Sequence, residues 1–257
     1  MRGLATVMLL AALLGCVSVP GGEGTESLDE TGAGSGTGNP VPVAGDDDTA
    51  AKPPGVDAGV PESGGTEPKV LMLGRSVSYA WAEYMGLEWQ EDESYRGRYD
   101  GKDMRYREVS PPPDISESAA SMLDQYDSDV VFFKLCFVDF GQEEGEMLAE
   151  NEEYVRRVYE EAVTKRHRKL IIGNALPQVG MYASDGLRSN QREYNRWLSA
   201  FASTHPDVQV LDLYGMLADS DGSLKGEYAA SPDDSHLNGR AYAKITPALM
   251  EAIENAG

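Results

Sequence analysis

Three residues with the chemistry of an acyl-transfer site stand at opposite ends of the foldable part of this chain. Ser76 follows an apolar run, Lys69-Val70-Leu71-Met72-Leu73, in the segment Gly74-Arg75-Ser76-Val77-Ser78. Asp233 and His236 lie in Asp233-Asp234-Ser235-His236-Leu237-Asn238, near the C-terminus. A serine hydroxyl becomes a useful nucleophile when an imidazole takes its proton, and that imidazole needs a third group to orient it. Those residue types point to an esterase-like site, with Ser76 supplying the hydroxyl and His236 the imidazole. Each has a plainer alternative: Ser76 as a helix N-cap after a strand, His236 as a surface or capping histidine.

The elements that must position these residues alternate between short apolar strands and helical patterns, the signature of βαβ units and a parallel sheet. Strands are expected at 70–73, 104–109, 129–136, 170–172 and 208–211. The third, Asp129-Val130-Val131-Phe132-Phe133-Lys134-Leu135-Cys136, is apolar enough to be central and covered on both faces. Helices are expected at 78–87, 114–124, 146–166, 190–204 and 236–254, with Pro247 kinking or restarting the last. Residues 88–103 read as a loop or a hairpin. The sum is a three-layer α/β/α sandwich, with Ser76 at the carboxyl edge of the sheet where open α/β folds bind ligands.

The 257 residues are not expected to fold throughout. Arg2 and the apolar stretch Leu4 to Leu14 are too short to span a bilayer and read as a signal peptide over 1–15. Leu13-Leu14-Gly15-Cys16 resembles the lipobox of bacterial lipoproteins, which implies cleavage before Cys16, lipidation of its thiol and an outer-membrane address; an ordinary secretory signal is the alternative. Residues 17–67 carry ten acids against Lys52 and no Phe, Trp or Tyr. Such a stretch cannot bury enough apolar surface to fold, so 16–67 is expected to be a tether. Residues 68–257 have the size of one domain. The net charge of −21 leaves no cationic face for nucleic acid. Of the two cysteines, lipidation of Cys16 would leave Cys136 unpaired; it reads as a small buried hydrophobe. No His/Cys/Asp cluster has metal-ligand spacing and no phosphate loop is present, so neither metal nor cofactor is expected.

With Gly-x-Ser after the first strand and Asp-x-x-His near the end, the domain resembles the SGNH/GDSL-type hydrolases, a flavodoxin-like family of esterases, lipases and carbohydrate O-acyl esterases. The resemblance implies a five-stranded parallel sheet, Ser76 as nucleophile, His236 as general base and later general acid, Asp233 as the group that orients His236, and an acyl-Ser76 intermediate. It also implies an oxyanion hole of three donors: the Ser76 N–H, a glycine N–H after the second strand and an asparagine after the third. Here the sequence departs from the family. Arg75 stands where the family has aspartate. The exit of the second strand, Val109-Ser110-Pro111, has no glycine, leaving the Ser110 N–H as its candidate donor. After the third strand Val138 takes the asparagine's place in Cys136-Phe137-Val138-Asp139. Asn174, in Gly173-Asn174-Ala175-Leu176-Pro177, is a further donor candidate or a turn former. Lys134 is costly in an apolar strand unless paired; it reads as half of an ion pair, with Asp139 or an acid near strand one, or as the positive charge Val138 cannot supply. Trp81, Tyr84, Tyr95 and Tyr99 could line a sugar cleft or belong to the core. The expected activity is hydrolysis of a small acyl ester, on a cell-envelope or extracellular carbohydrate. The alternative is a silent domain that binds glycan or a partner protein.

Overall fold

The computed structural model describes residues 67–256. The expected signal peptide, Cys16 and the tether lie outside them, save Glu67 at its end. Among the described residues no helix is long and apolar enough to cross a membrane.

Five strands form the expected parallel sheet: β1 (Lys69–Gly74), β4 (Lys102–Glu108), β5 (Val130–Lys134), β6 (Lys169–Gly173) and β7 (Val208–Leu211). Their spatial order is β4-β1-β5-β6-β7, and each neighbouring pair is parallel. Chain direction across the sheet therefore reverses beside β1, and the crevice between the carboxyl ends of β1 and β5 is the ligand-binding switch point of such sheets. The ambiguous stretch 88–103 resolves into the antiparallel strands β2 (Glu88–Trp89) and β3 (Tyr95–Tyr99), which extend the sheet to seven strands beyond β4. β3 reads Tyr-Arg-Gly-Arg-Tyr, with both tyrosines buried and both arginines exposed, the alternation of an antiparallel strand with one covered face.

Helices α1 (Ser76–Tyr84) and α6 (Gly239–Ala256) cover one face; α2 (Ile115–Gln125), α3 (Leu148–Tyr159, continued by a π turn at Glu160–Thr164) and α4 (Asp185–Ser203) cover the other. Because both faces are covered, β5 is buried at every position. Odd and even residues feed different cores: Val130 and Phe132 pack under α1 and α6, Val131 and Phe133 under the other layer. Each large side chain so enclosed contributes roughly 2–3 kcal/mol. Trp81 locks the first layer: its indole N–H donates to Thr246 Oγ1 at 2.8 Å, and that hydroxyl donates to Tyr242 O at 2.7 Å. Trp81, Tyr95 and Tyr99 are therefore core residues, and Tyr84 packs on Tyr242.

Pro247 lies inside α6, which does not restart there but runs on to Ala256. Ala243, whose carbonyl loses its usual N–H partner to the proline, lies on the solvent side with Pro247. The irregular stretch after β7 holds α5 (Leu213–Leu217) and a separate two-stranded hairpin, β8 (Ala229–Ser231) and β9 (Asp234–Leu237).

Candidate active site

Ser76 is the first residue of α1, where β1 ends in glycine. A side chain at position 74 would place its Cβ 2.2 Å from Ser78 Oγ, so only glycine lets the strand turn into the helix here. Arg75, in extended conformation, occupies the N-cap place without a side-chain capping bond. The N-cap alternative for Ser76 is thereby set aside. Its hydroxyl turns outward to His236, with Nε2 and Oγ 3.1 Å apart.

His236 does not begin a helix, as the sequence pattern suggested, but lies on β9. Alternation along that strand buries Ser235 and Leu237 and leaves Asp234 and His236 on the open face. Asp234 Oδ1 accordingly meets His236 Nδ1 at 2.6 Å and also accepts the His236 backbone N–H at 2.9 Å. Asp233, expected to orient the imidazole, is instead bound to the Ser231 hydroxyl at the hairpin turn. This is a correction with a simple cause: a strand brings residues two apart onto one face, whereas Asp233, three before His236, lies in the turn before β9. Period two in Asp234-Ser235-His236-Leu237 was the signal that could have found it. Burial pushes the Asp234 carboxyl up, but the two N–H groups of His236 outweigh it and hold it below the ordinary carboxylate range. The Phe137 ring meets the imidazole edge-on at 5.3 Å, and Ser235 Oγ accepts the Val179 N–H at 3.1 Å, anchoring the hairpin to the body.

The loop leaving β5 lies on the other side of Ser76. Cys136 is buried, as expected, with Sγ 4.0 Å from Ser76 Oγ. Asp139 is pinned by the Arg75 guanidinium and by the Cys136 N–H at 2.7 Å, and Asn151 Nδ2 holds its carbonyl at 3.0 Å. Burial raises the Asp139 carboxyl above its ordinary range, with Arg75 pulling back against it. Arg75, not Lys134, is thus the partner of Asp139. Lys134 is fully enclosed, and its Nζ has no hydrogen-bond partner among the described residues, so the expected ion pair is not made.

The oxyanion candidates divide sharply. The Ser76 N–H, at the start of α1, donates to nothing among the described residues and stays open. The Ser110 N–H is spent on Ser118 Oγ at 3.0 Å. Asn174 closes the β6–α5 corner, donating to Asp212 Oδ1 at 2.7 Å and accepting the Tyr214 N–H at 2.8 Å. It lines a separate cleft with Arg192 and Arg196. Val138 is solvent-facing. Of the other histidines, His167 is exposed and His205 caps the end of α4 through Phe201 O.

Next to Ser76 in sequence, Arg75 forms one wall of a groove of about 690 Å³ with Pro111, Val138, Phe140, Met147 and Gln178; Ser76 and His236 do not line it. That is the size of a small-molecule site. A cleft of about 250 Å³ at the amino ends of the strands, near Lys69 and Tyr126, contains no nucleophile. No cluster of three or more His, Cys, Asp or Glu among the described residues is arranged to hold a metal ion.

No family model matches the chain, and no curated protein matches it. Solved structures do. A GDSL-like lipase from Bacteroides thetaiotaomicron superposes with a TM-score of 0.58 at 15% identity, covering 74% of this chain and 89% of the other. The carbohydrate acetylesterase Est24 from Sinorhizobium meliloti gives 0.52 at 14%, covering 74% and 100%. A member of the lipolytic G-D-S-L family from Veillonella parvula gives 0.51 at 19%, covering 71% and 96%. With the strand order and the helices on both faces, these likenesses establish that residues 67–256 have the fold of the GDSL-type, or SGNH, hydrolases.

Proposed function

We propose that this protein is a serine ester hydrolase that removes a small acyl group, from a carbohydrate of the cell envelope or its surroundings, through an acyl-serine intermediate. The observation that carries this reading is the unbroken relay of 3.1 Å from Ser76 to His236 and 2.6 Å from His236 to Asp234. Both distances lie within proton-transfer reach. In the first step His236 Nε2 takes the hydroxyl proton as Ser76 Oγ attacks the ester carbonyl. The Ser76 N–H faces the oxyanion of the tetrahedral adduct, and His236 returns the proton to the departing alkoxide. Water then repeats the sequence on the acyl-serine and frees the acid. Asp234 holds one tautomer of the imidazole and stabilises its cationic form.

The carbohydrate assignment is supported by the net charge of −21, which disfavours anionic substrates, and by a carbohydrate acetylesterase among the structural relatives. Cys16, within its lipobox-like segment, would anchor the enzyme through the 16–67 tether. Radiolabelled palmitate should enter the parent chain and not a Cys16→Ala variant. The second reading, a silent binding domain, is favoured by one observation: Val138 and the occupied Ser110 N–H leave the oxyanion with fewer donors than the family uses. Losing one donor costs about 100- to 1,000-fold in turnover. Labelling by a fluorophosphonate probe together with hydrolysis of p-nitrophenyl acetate, both absent in Ser76→Ala, would support the enzyme. A parent chain that does neither is a binding domain.

A further inference from the structure

Lys134 is the least economical residue of the core. It is 1% exposed, at the carboxyl end of a central strand, and its Nζ meets no acceptor among the described residues. Its partner in the sheet is Gly173 on β6, and Gly74 on β1 lies against its stem. A Cβ at 173 would stand 3.1 Å from Lys134 Cβ, and one at 74 would stand 3.5 Å from Lys134 Cγ. The side chain lies on the same sheet face as Phe132 and Cys136, the layer from which α1 rises, and Cys136 Sγ is the atom 4.0 Å from the nucleophile. An enclosed ammonium without a partner is destabilising, and a methionine of the same length would pack there at no such cost. A residue that costs stability close to a reacting centre is better explained by the reaction than by the fold.

We infer that Lys134 is a positioning residue of the hydrolytic site, whose ammonium supplies the positive field under the β5–Asp139 loop that Val138, in the asparagine's place, does not supply. The inference rests on the hydrolase reading above. Lys134 touches neither Ser76 nor the groove; it acts through the loop Cys136–Asp139 and the turn Gly74–Ser76, lowering the energy of negative charge that develops at the Ser76 N–H. The local charges add up in its favour. Arg75 and Asp139 neutralise each other as a pair, so Lys134 is the uncancelled charge. The titratable groups that face it are Cys136 and Asp139 beyond its own strand and Arg75 beyond β1, with Tyr106 of β4 on the far side of Cys136. From α1 it is faced by Ser78, whose Oγ is likewise without a partner. Burial lowers its pKa from the ordinary lysine value, with Cys136 and Asp139 opposing. The ammonium is therefore lost, and the field with it, at a pH below that of a free lysine.

The test compares the full chain with Lys134→Met on p-nitrophenyl acetate, with Ser76→Ala as the blank for alkaline hydrolysis. Two effects of opposite sign are expected. Thermal stability rises, because an unpaired buried charge is gone, while kcat falls about 10- to 100-fold with KM nearly unchanged. The parent's rate declines on the alkaline side as the lysine deprotonates, and this limb is absent from the variant. The stability gain is full below the depressed lysine pKa and shrinks as pH rises from that value toward that of a free lysine, since the parent then sheds the same charge. Unchanged kcat in a folded variant, or a kcat loss that tracks a fall in stability, would overturn the inference. So would a parent profile with no alkaline limb, which needs no variant at all. These results leave the hydrolase reading intact. A parent that is neither active nor labelled by a fluorophosphonate sinks that reading, and the inference with it.

Discussion

The two halves of the candidate site are held by different physics. Ser76 stands on the rigid half: β1 is buried from Val70 to Gly74, the helix behind it is locked by Trp81, and the loop opposite is fastened by the enclosed Arg75–Asp139 pair. His236 and Asp234 stand on a small hairpin outside the main sheet, their side chains 43% and 45% exposed and held mostly by local hydrogen bonds. Ser76 is thus fixed by the same contacts that fix the fold. His236 is fixed by the packing of Ser235 and Leu237 and by a strand's alternation. Substituting the contacts that hold Ser76 should therefore lower stability and activity together, whereas substituting those that hold His236 should cost activity with a smaller loss of stability.

The largest expected effect on activity comes from removing the reacting groups themselves. Ser76→Ala and His236→Ala should each lower kcat/KM on p-nitrophenyl acetate by on the order of 10,000-fold, and the pair together by little more, because they act as a unit. Neither should change the unfolding free energy by more than about 0.5 kcal/mol. A simple sum of the two losses in the double variant would break the relay.

Next comes the choice between neighbouring aspartates. Asp234→Asn should lower kcat by about 100- to 10,000-fold, whereas Asp233→Asn should stay within about twofold. Because the Asp234 carboxyl lies below its ordinary range, its hold on the imidazole is complete above the free-carboxylate pKa and fails only as pH falls through the depressed value. It should add no limb of its own near neutrality. Equal losses in the two variants would return the orienting role to Asp233.

On the rigid half, Arg75→Met leaves Asp139 enclosed and unpaired, at a cost of about 3 kcal/mol measured by urea unfolding near neutral pH. The Asp139 pKa, already raised by burial, should rise further. The penalty belongs to the ionised carboxylate, so it should shrink as pH falls through that raised value and the group takes up a proton. A penalty independent of pH would mean that Asp139 is neutral throughout. The smallest effect is on the hairpin: Ser235→Ala removes the acceptor of the buried Val179 N–H and should cost about 1–2 kcal/mol. If it lowers kcat more than it lowers stability, the hairpin is held as locally as the comparison holds.

Much of this architecture was legible without coordinates. The apolar run of Val130 to Phe133 and the turn after Leu73 announce strands covered on both faces, because only such strands are apolar at successive positions. Gly74 and Ser76 announce a tight strand-to-helix turn. The hairpin β2–β3 stayed ambiguous because its strands are short and its exposed face is all arginine and glutamate. His236 was placed on a helix because the helical spacing of Leu237, Ala241 and Ile245 continues back to it, whereas the chain is extended until Gly239.

Residue types and their order along the chain therefore determined the layers of the sandwich, the strand-end serine and the histidine that answers it. Which aspartate holds that histidine, which cation holds Asp139 and which cation is left alone were decided only by the tertiary structure. The reason is reach. Burial pattern is a property of each segment, but the pairing of charges depends on distances of a few ångströms between segments far apart in sequence, and a single residue of register on β9 is enough to exchange Asp233 for Asp234.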